Sequence, residues 1–437
     1  MSSGAGEGKG KSIEPFRCRH EQVRQHHEIR RVNYQGGIPA VPPYLTKLIV
    51  GLVQRDFDPD YASIPPHGRW QHFNAGGRDR IAELLSSWPH EIDPSERCRR
   101  LIDLFLVSVL LDAGAGTSWS YKSKQNGRIY KRSEGLAIAS FEMFKDGLFS
   151  SNKQQRHQVD ASGLKELTVE KMAAGLQVTE QNQMSGLEGR ASLLIRLADA
   201  LNNDTLFGAD GRPGNMLGNS HAIPLTAELT HSDYLLSHPT TQASSVPIVP
   251  LPTLWSVLID GLAPIWPPSR TTLDGTSLGD AWPLALTLLP TTQPWETIVP
   301  FHKLTQWLCY SLMQPMSKLM NIHFAGAELM TGLPEYRNGG LFIDTGVLTL
   351  KSPDEERGLQ RFREEGLKKG STVEVVPMFT PDDDVIIEWR AVTVGFLDLL
   401  LEEVNTVLGF QLTLPQMLEA GSWKVCRPCS FDLDALF

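Results

Sequence analysis

Apolar residues recur at intervals of three and four through much of the chain, the spacing that lines one face of an α-helix. Leu45, Leu48, Ile49 and Val53 form one such stripe, and Leu101, Leu104, Phe105, Val107, Val109 and Leu110 form a denser one. Ser133 stands as an N-cap ahead of Leu136, Ile138, Phe141 and Phe144, and Gly147 offers a stop, so a helix is predicted between them. Further helices are predicted from Thr168 and over Leu187 to Leu201, where Leu193, Leu194, Leu197 and Leu201 share a face. Period-two alternation appears only over Thr372 to Met378 and Val385 to Trp389. No regular alternation of strands with helices and no repeat period is present, so the expected class is mainly α with a few short strands.

The breaks in this pattern set the expected organisation. Met1 to Glu14 is rich in Gly and poor in apolar residues and is expected to be a disordered leader. Ser120 to Arg132 is polar and carries Asn126-Gly127 between two tyrosines, the signature of a short hairpin or ordered loop. Asn202 to Pro252 shifts to Asn, Gly, Pro, Thr and Ser and reads as a surface insertion. The remainder, from residue 15 to 437, is expected to form one compact, mainly helical catalytic domain.

Composition narrows the function classes. The chain of 437 residues has 41% hydrophobic and 21% charged residues, enough apolar surface for a large core. With 41 Lys and Arg against 50 Asp and Glu, its net charge of -9 argues against a nucleic-acid partner. Its longest apolar run, Leu101 to Leu111, contains Asp103 and is about half the length that a membrane helix needs. The first residues lack the apolar segment of a secretory signal, and five cysteines make no paired framework. A protein of the cytoplasm or nucleus is expected, with a small-molecule partner and neither membrane nor nucleic acid.

Three clusters could carry chemistry. In Pro300 to Leu312, Leu304, Trp307, Leu308 and Leu312 face a core at about 100° per residue, and Lys303, Gln306 and Tyr310 form a narrow polar stripe beside it. That stripe either lines a pocket or is a solvated face. In Leu333 to Leu348, Pro334 and the pair Gly339-Gly340 frame a turn presenting Glu335, Tyr336 and Arg337. A carboxylate there could stabilise a cation or activate water, or Glu335 and Arg337 could be an ordinary ion pair. In Leu111 to Tyr121 the glycines do not fit the dinucleotide fingerprint, and Asp112, Trp119, Tyr121 and Glu134 either wall a polar ligand or pack as core. Cys426 and Cys429 have metal-ligand spacing without a second ligand pair, His20, His26 and His27 lie in a polar stretch, and neither Ser118 nor Ser133 has a hydrolase elbow around it.

The motifs Arg69-Trp70-Gln71-His72-Phe73, Leu110 to Gly116, Arg132 to Ala137, Ile298 to Leu304 with Gln306-Trp307, and Gly332 to Gly340 occur in order between about residues 44 and 425. In these the chain resembles the fungal and bacterial uracil catabolism family of the URC pathway, formerly a domain of unknown function. The resemblance implies a role in degrading uracil through a ribosyl-urea intermediate that releases urea, beside other uracil-catabolism enzymes.

A more distant resemblance is to the queuosine nucleoside hydrolases. It rests on Asp112 to Trp119, Gly127-Arg128-Ile129-Tyr130 with Ser133 to Ser140, Lys303 with Gln306, and Glu335-Tyr336-Arg337 with Gly346-Val347-Leu348. It implies a helical fold like that of DNA glycosylases and cleavage of an N-glycosidic bond by the acidic residue of the acidic-Tyr-Arg turn. That residue is Asp in those enzymes and the longer Glu335 here.

Combined, the resemblances imply an N-glycosidase acting on ribosyl-urea or its 5′-phosphate with no cofactor and no metal. Glu335 would be the principal carboxylate and Asp344 the acid for the leaving nitrogen. Asp112, Trp119, Tyr121, Glu134, His302, Lys303, Gln306, Tyr336 and Arg337 would bind substrate. The rivals are an amidohydrolase acting on a ureido group and a non-catalytic nucleotide-binding scaffold.

Overall fold

The computed structural model describes residues 41–425, apart from 113, 116–117, 219–233, 239–240, 244–245, 274, 285–296 and 367–374. The expected leader, His20, His26, His27, Cys426, Cys429 and the first three residues, 372–374, of the strand expected over Thr372 to Met378 lie outside the described residues, and Val375 to Met378 form no strand.

The described chain is mainly helical, with two- to four-residue strands in four small sheets. Helix α1 (Pro43–Phe57) buries Leu45, Ile49 and Val53 as its stripe predicts, but Leu48 is left exposed. After the short α2 (Arg69–Phe73) comes α3 (Pro94–Leu110), which runs through the main core with every residue from Leu101 to Leu110 buried. Asp93 caps it by accepting from the Glu96 N–H at 2.8 Å, and Pro94 takes a first-turn position where its missing N–H costs nothing. The Asn126-Gly127 turn joins Tyr121–Lys122 to Ile129–Tyr130 as an antiparallel hairpin, Gly127 supplying a φ of 68°.

Helix α4 (Arg132–Lys145) starts one residue ahead of the expected cap, with Lys131 rather than Ser133 at the boundary. It ends where Gly147 adopts a φ of 77°. Thr168 caps the following Val169–Gly175 through Lys171 N, and α5 (Leu187–Ala200) follows the predicted stripe. Helix α6 (Lys303–Met320) packs along α3, and α7 (Tyr336–Asp344) and α8 (Asp384–Leu408) complete the region that concerns the site.

Two further expectations are corrected. Val385 to Trp389 is the first turn of α8, not a strand: Asp383 accepts from Val385 N at 3.0 Å and starts a helix. Five residues of alternation were too short a window, because burial then continues at helical spacing through Ile387, Val394, Leu397 and Leu400. The described parts of 202–252 are also not laid over the surface. Phe207, Met216, Leu217, Leu235 and Val249 are buried in the main core. Asp103 of α3 fastens this stretch, accepting from Arg212 Nε at 2.7 Å and Gly214 N at 2.7 Å.

A small second core of Leu284, Val299, Phe301 and Ile387 surrounds a buried ion pair between Asp280 and Arg390. The strands Ala281–Pro283 and Ile298–Pro300 pair antiparallel there and deliver the chain into α6. Among the described residues no helix is long and apolar enough to cross a membrane.

Candidate functional site

The polar stripe of α6 is not a solvated face. Gln306 and Tyr310 are buried, and Lys303 begins the helix at a half-buried position. Tyr310 donates its hydroxyl to Thr331 O at 3.0 Å, and Gln306 Oε1 accepts from Thr331 N at 3.4 Å, so this stripe fixes the segment leading to Glu335.

Lys303 is positioned by Asp280, whose Oδ2 accepts the Lys303 N–H at 3.0 Å. The same carboxylate takes a two-pronged contact from Arg390, at 2.9 Å to Oδ1 and 2.7 Å to Oδ2, and a bond from Trp282 Nε1 at 2.7 Å. Arg390 Nε reaches on to Pro334 O at 3.2 Å, and the guanidinium lies 4.0 Å from the centre of the Phe301 ring. One buried pair therefore sets both the start of α6 and the turn before Glu335. Burial alone would push the Asp280 carboxyl up, but the Arg390 guanidinium, with the Trp282 and Lys303 donors, holds it well below the usual carboxylate range.

Glu335 is buried and is the N-cap of α7. Oε1 accepts from Asn338 N at 2.8 Å and Oε2 from Arg337 N at 2.9 Å. These bonds use two of about four lone-pair directions on a carboxylate, which fixes the group while leaving acceptor capacity. The alternative of a simple Glu335–Arg337 side-chain pair is not what forms: it is the backbone of Arg337 that donates. Its guanidinium instead lies 3.8 Å from the centre of the Trp423 ring and donates from Nε to the Tyr336 hydroxyl at 3.2 Å.

The Glu335 and Asp112 carboxylates both act on the Lys303 ammonium and on the Tyr336 phenol. Burial lowers the Lys303 ammonium below the ordinary lysine range, while Glu335 and Asp112 pull it back up. Burial raises the Tyr336 phenol, with Glu335 and Asp112 adding to the rise and Arg337 opposing it. Asp112 leaves the end of α3 on a turn tied down by Arg190, whose Nε donates to Leu111 O at 3.1 Å and Nη2 to Gly114 O at 2.6 Å. Its carboxylate meets Arg69 Nη1 at 3.0 Å. Arg69 is fully buried and also donates to Ser108 Oγ at 2.7 Å, Ser108 O at 3.0 Å and Ser133 O at 3.4 Å. It joins α2, α3 and α4 at the place where Asp112 emerges.

The remaining expected site residues are placed elsewhere or play other parts. Trp119 is core: it donates from Nε1 to Leu176 O at 2.9 Å and packs on Gly135, where an added Cβ would lie 2.9 Å from the indole. Tyr121 donates to Glu142 Oε2 at 2.8 Å, on a carboxylate that also accepts from Ser123 and Lys124. Their polar atoms are thus consumed inside the fold, the core alternative weighed for these aromatics. Glu134 is exposed on the first turn of α4. His302 is buried, adopts a left-handed backbone and packs edge-on against Trp255. Asp344 is exposed at the far end of α7, about 13 Å along the helix from Glu335 at roughly 1.5 Å per residue, which removes it from Glu335's surroundings.

Sequence reasoning missed the Asp280–Arg390 pair and a cluster of His67, His72 and Trp423 around Trp307. Trp307 was visible as a core position and within a motif, and His72 only within a motif. Asp280 and Arg390 are 110 positions apart, and nothing in either local sequence signals the other.

The sequence pattern of the family described as "Protein of unknown function (DUF1688)" matches residues 11–432. Uracil catabolism protein 4 of Lachancea kluyveri is 43% identical over 385 residues, covering 87% of this chain and 83% of that one. Protein urg3 of Schizosaccharomyces pombe is 41% identical over 421 residues, covering 95% of this chain and 92% of that one. With a match across nearly its whole length and relatives this similar over most of theirs, the chain belongs to the DUF1688 family.

Proposed function

We propose that the chain acts in uracil catabolism and hydrolyses the N-glycosidic bond of ribosyl-urea or its 5′-phosphate. The pathway is suggested by the name of the relative from Lachancea kluyveri. The observation that carries the chemistry is a buried carboxylate, Glu335, fixed by two backbone N–H groups and electrostatically coupled to Lys303. In the reaction the bond from C1 to nitrogen breaks, its electron pair leaves with the nitrogen, and water supplies the oxygen at C1 and the proton on urea. Positive charge develops on the sugar ring in the transition state, and a pre-positioned carboxylate stabilises it and orients the water.

Asp112 shares this environment and is held by Arg69, so it would hydrogen-bond sugar hydroxyls or ureido N–H groups. Lys303, an ammonium whose proton burial has loosened, is the group placed to hold an anionic sugar substituent or to hand a proton to the leaving nitrogen. The exposed position of Asp344 leaves that second role to Lys303.

The test is Glu335→Gln with Asp344→Asn as its control, assayed on ribosyl-urea and its 5′-phosphate. Glutamine keeps one carbonyl oxygen for the α7 cap, so the cost in stability is about 1 kcal/mol. Turnover should fall by at least about 100-fold in Glu335→Gln and change less than about twofold in Asp344→Asn. Near-normal turnover by the folded Glu335→Gln variant would overturn the assignment.

A further inference from the structure

His67 and His72 lie against two tryptophans. The ring centroid of His67 is 4.7 Å from that of Trp307 and 4.5 Å from that of Trp423, and His72 lies 5.4 Å and 5.1 Å from the same rings. Both imidazoles and Trp307 are more than nine-tenths buried. Among the described residues His67 Nε2, His72 Nε2 and Trp307 Nε1 have no hydrogen-bond partner. A buried polar atom without a partner costs free energy comparable to a lost hydrogen bond, and three in one ring cluster require an explanation beyond packing.

The surroundings fix the roles of His72 Nε2 and Trp307 Nε1. His67 Nδ1 lies 2.6 Å from Glu419 Oε2, and His72 Nδ1 lies 3.3 Å from Gly68 O. A carboxylate and a carbonyl only accept, so each Nδ1 carries a proton. Burial, with the nearby Arg69 guanidinium, holds His72 well below the usual imidazole range, so its ring is neutral and presents a lone pair at Nε2. Trp307 Nε1 only donates. The cluster therefore offers a donor at Trp307 and an acceptor at His72, with His67 Nε2 beside them, among flat aromatic rings. A ureido group, –NH–CO–NH2, offers the complement: one carbonyl acceptor and N–H donors on a flat frame.

The cluster adjoins the carboxylate site. Trp307 lies one helical turn beyond Lys303, on the same face of α6, and Arg337 lies over Trp423 two residues after Glu335. We infer that His67, His72 and Trp307 are the recognition site for the planar ureido end of the substrate, while Glu335 and Lys303 attend to the sugar. This rests on the function proposed above and names the part of the substrate that this second cluster reads.

The test separates the two. Ribosyl-urea binding is titrated calorimetrically in the full chain carrying Glu335→Gln, with and without Trp307→Phe, and ribose 5-phosphate serves as a probe without a ureido group. Phenylalanine keeps a ring and removes the N–H, so ribosyl-urea affinity should fall about tenfold while ribose 5-phosphate affinity changes less than about twofold. In chain labelled with 15N-histidine and otherwise unaltered, two Nε2 signals should move on adding ribosyl-urea and stay put with ribose 5-phosphate, a readout that survives if Trp307→Phe does not fold. Turnover of ribosyl-urea with unmoved Nε2 signals, or with affinity indifferent to Trp307→Phe, overturns the recognition site and leaves the hydrolase standing. Trp307-dependent binding without turnover by the chain with Glu335 intact does the reverse, and absence of binding overturns both.

Discussion

Replacing Asp280 by Asn removes the charge from a carboxylate that serves Arg390, Trp282 and the first N–H of α6. The Arg390 guanidinium is then left buried with no full counter-charge, a change that costs about 3–5 kcal/mol in proteins. Asparagine keeps one acceptor oxygen, which places the expectation near the lower end. Unfolding entropy of about 2.1 cal/mol/K per residue over 437 residues amounts to about 0.9 kcal/mol/K. The melting temperature should therefore drop by about 3–4 °C in Asp280→Asn, measured by scanning calorimetry at one scan rate.

The pH dependence of that loss is also fixed. The folded carboxyl sits below its unfolded value, so its stabilisation is complete above the ordinary Asp range and is lost as pH falls through the folded value. The gap between the two proteins should be constant from about pH 5 to 8 and narrow below about pH 4. A double-mutant cycle of Asp280→Leu with Arg390→Met should show a coupling of about 2–3 kcal/mol, because the double variant strands neither charge. A shift under about 1 °C, or single effects that simply add, would refute the role given to this pair.

Three further outcomes follow from the site and its surroundings. Because burial lowers the Lys303 ammonium, the alkaline limb of the kcat/KM profile should fall below the ordinary lysine range near 10.5, and Lys303→Arg should move any residual activity's limb upward. By the same sign, Lys303 is released from its burial penalty as pH rises from its folded value towards 10.5, so wild-type stability should gain there relative to Lys303→Met. Trp119→Phe strands Leu176 O and opens a gap in the core, so chemical denaturation should show a loss of about 1–3 kcal/mol, with KM changed less than about twofold.

Local signals carried much of the helical architecture. Thr168, Asn126-Gly127 and Gly147 all do in the structure what their side chains or backbone freedom allow, because capping and turn chemistry involve neighbours within a few residues. The stripe on α6 was legible as a stripe, yet its burial was not: Lys303, Gln306 and Tyr310 are covered by segments that no periodicity within α6 can reveal.

Long-range partnerships were the invisible part. His67 and Glu419 are 352 positions apart, and Asp280 and Arg390 are 110 apart, so no window of sequence contains either pair. The aromatic residues of Leu111 to Tyr121 illustrate the opposite error. Trp119 and Tyr121 sit beside Asp112 in sequence, but the hairpin turns them into the core against Leu176 and Glu142, leaving Asp112 alone at the site. The turn that carries Glu335 was legible because it is built locally, from Pro334 through Asn338.

The most direct test of the central claim is the product balance from ribosyl-urea and from its 5′-phosphate incubated with the purified chain. Urea, free sugar and ammonia are measured in the same samples over time. N-glycoside cleavage predicts urea and free sugar, or sugar phosphate, released one for one, with no ammonia above the blank. Ammonia released in place of urea would contradict the account and point to hydrolysis within the ureido group.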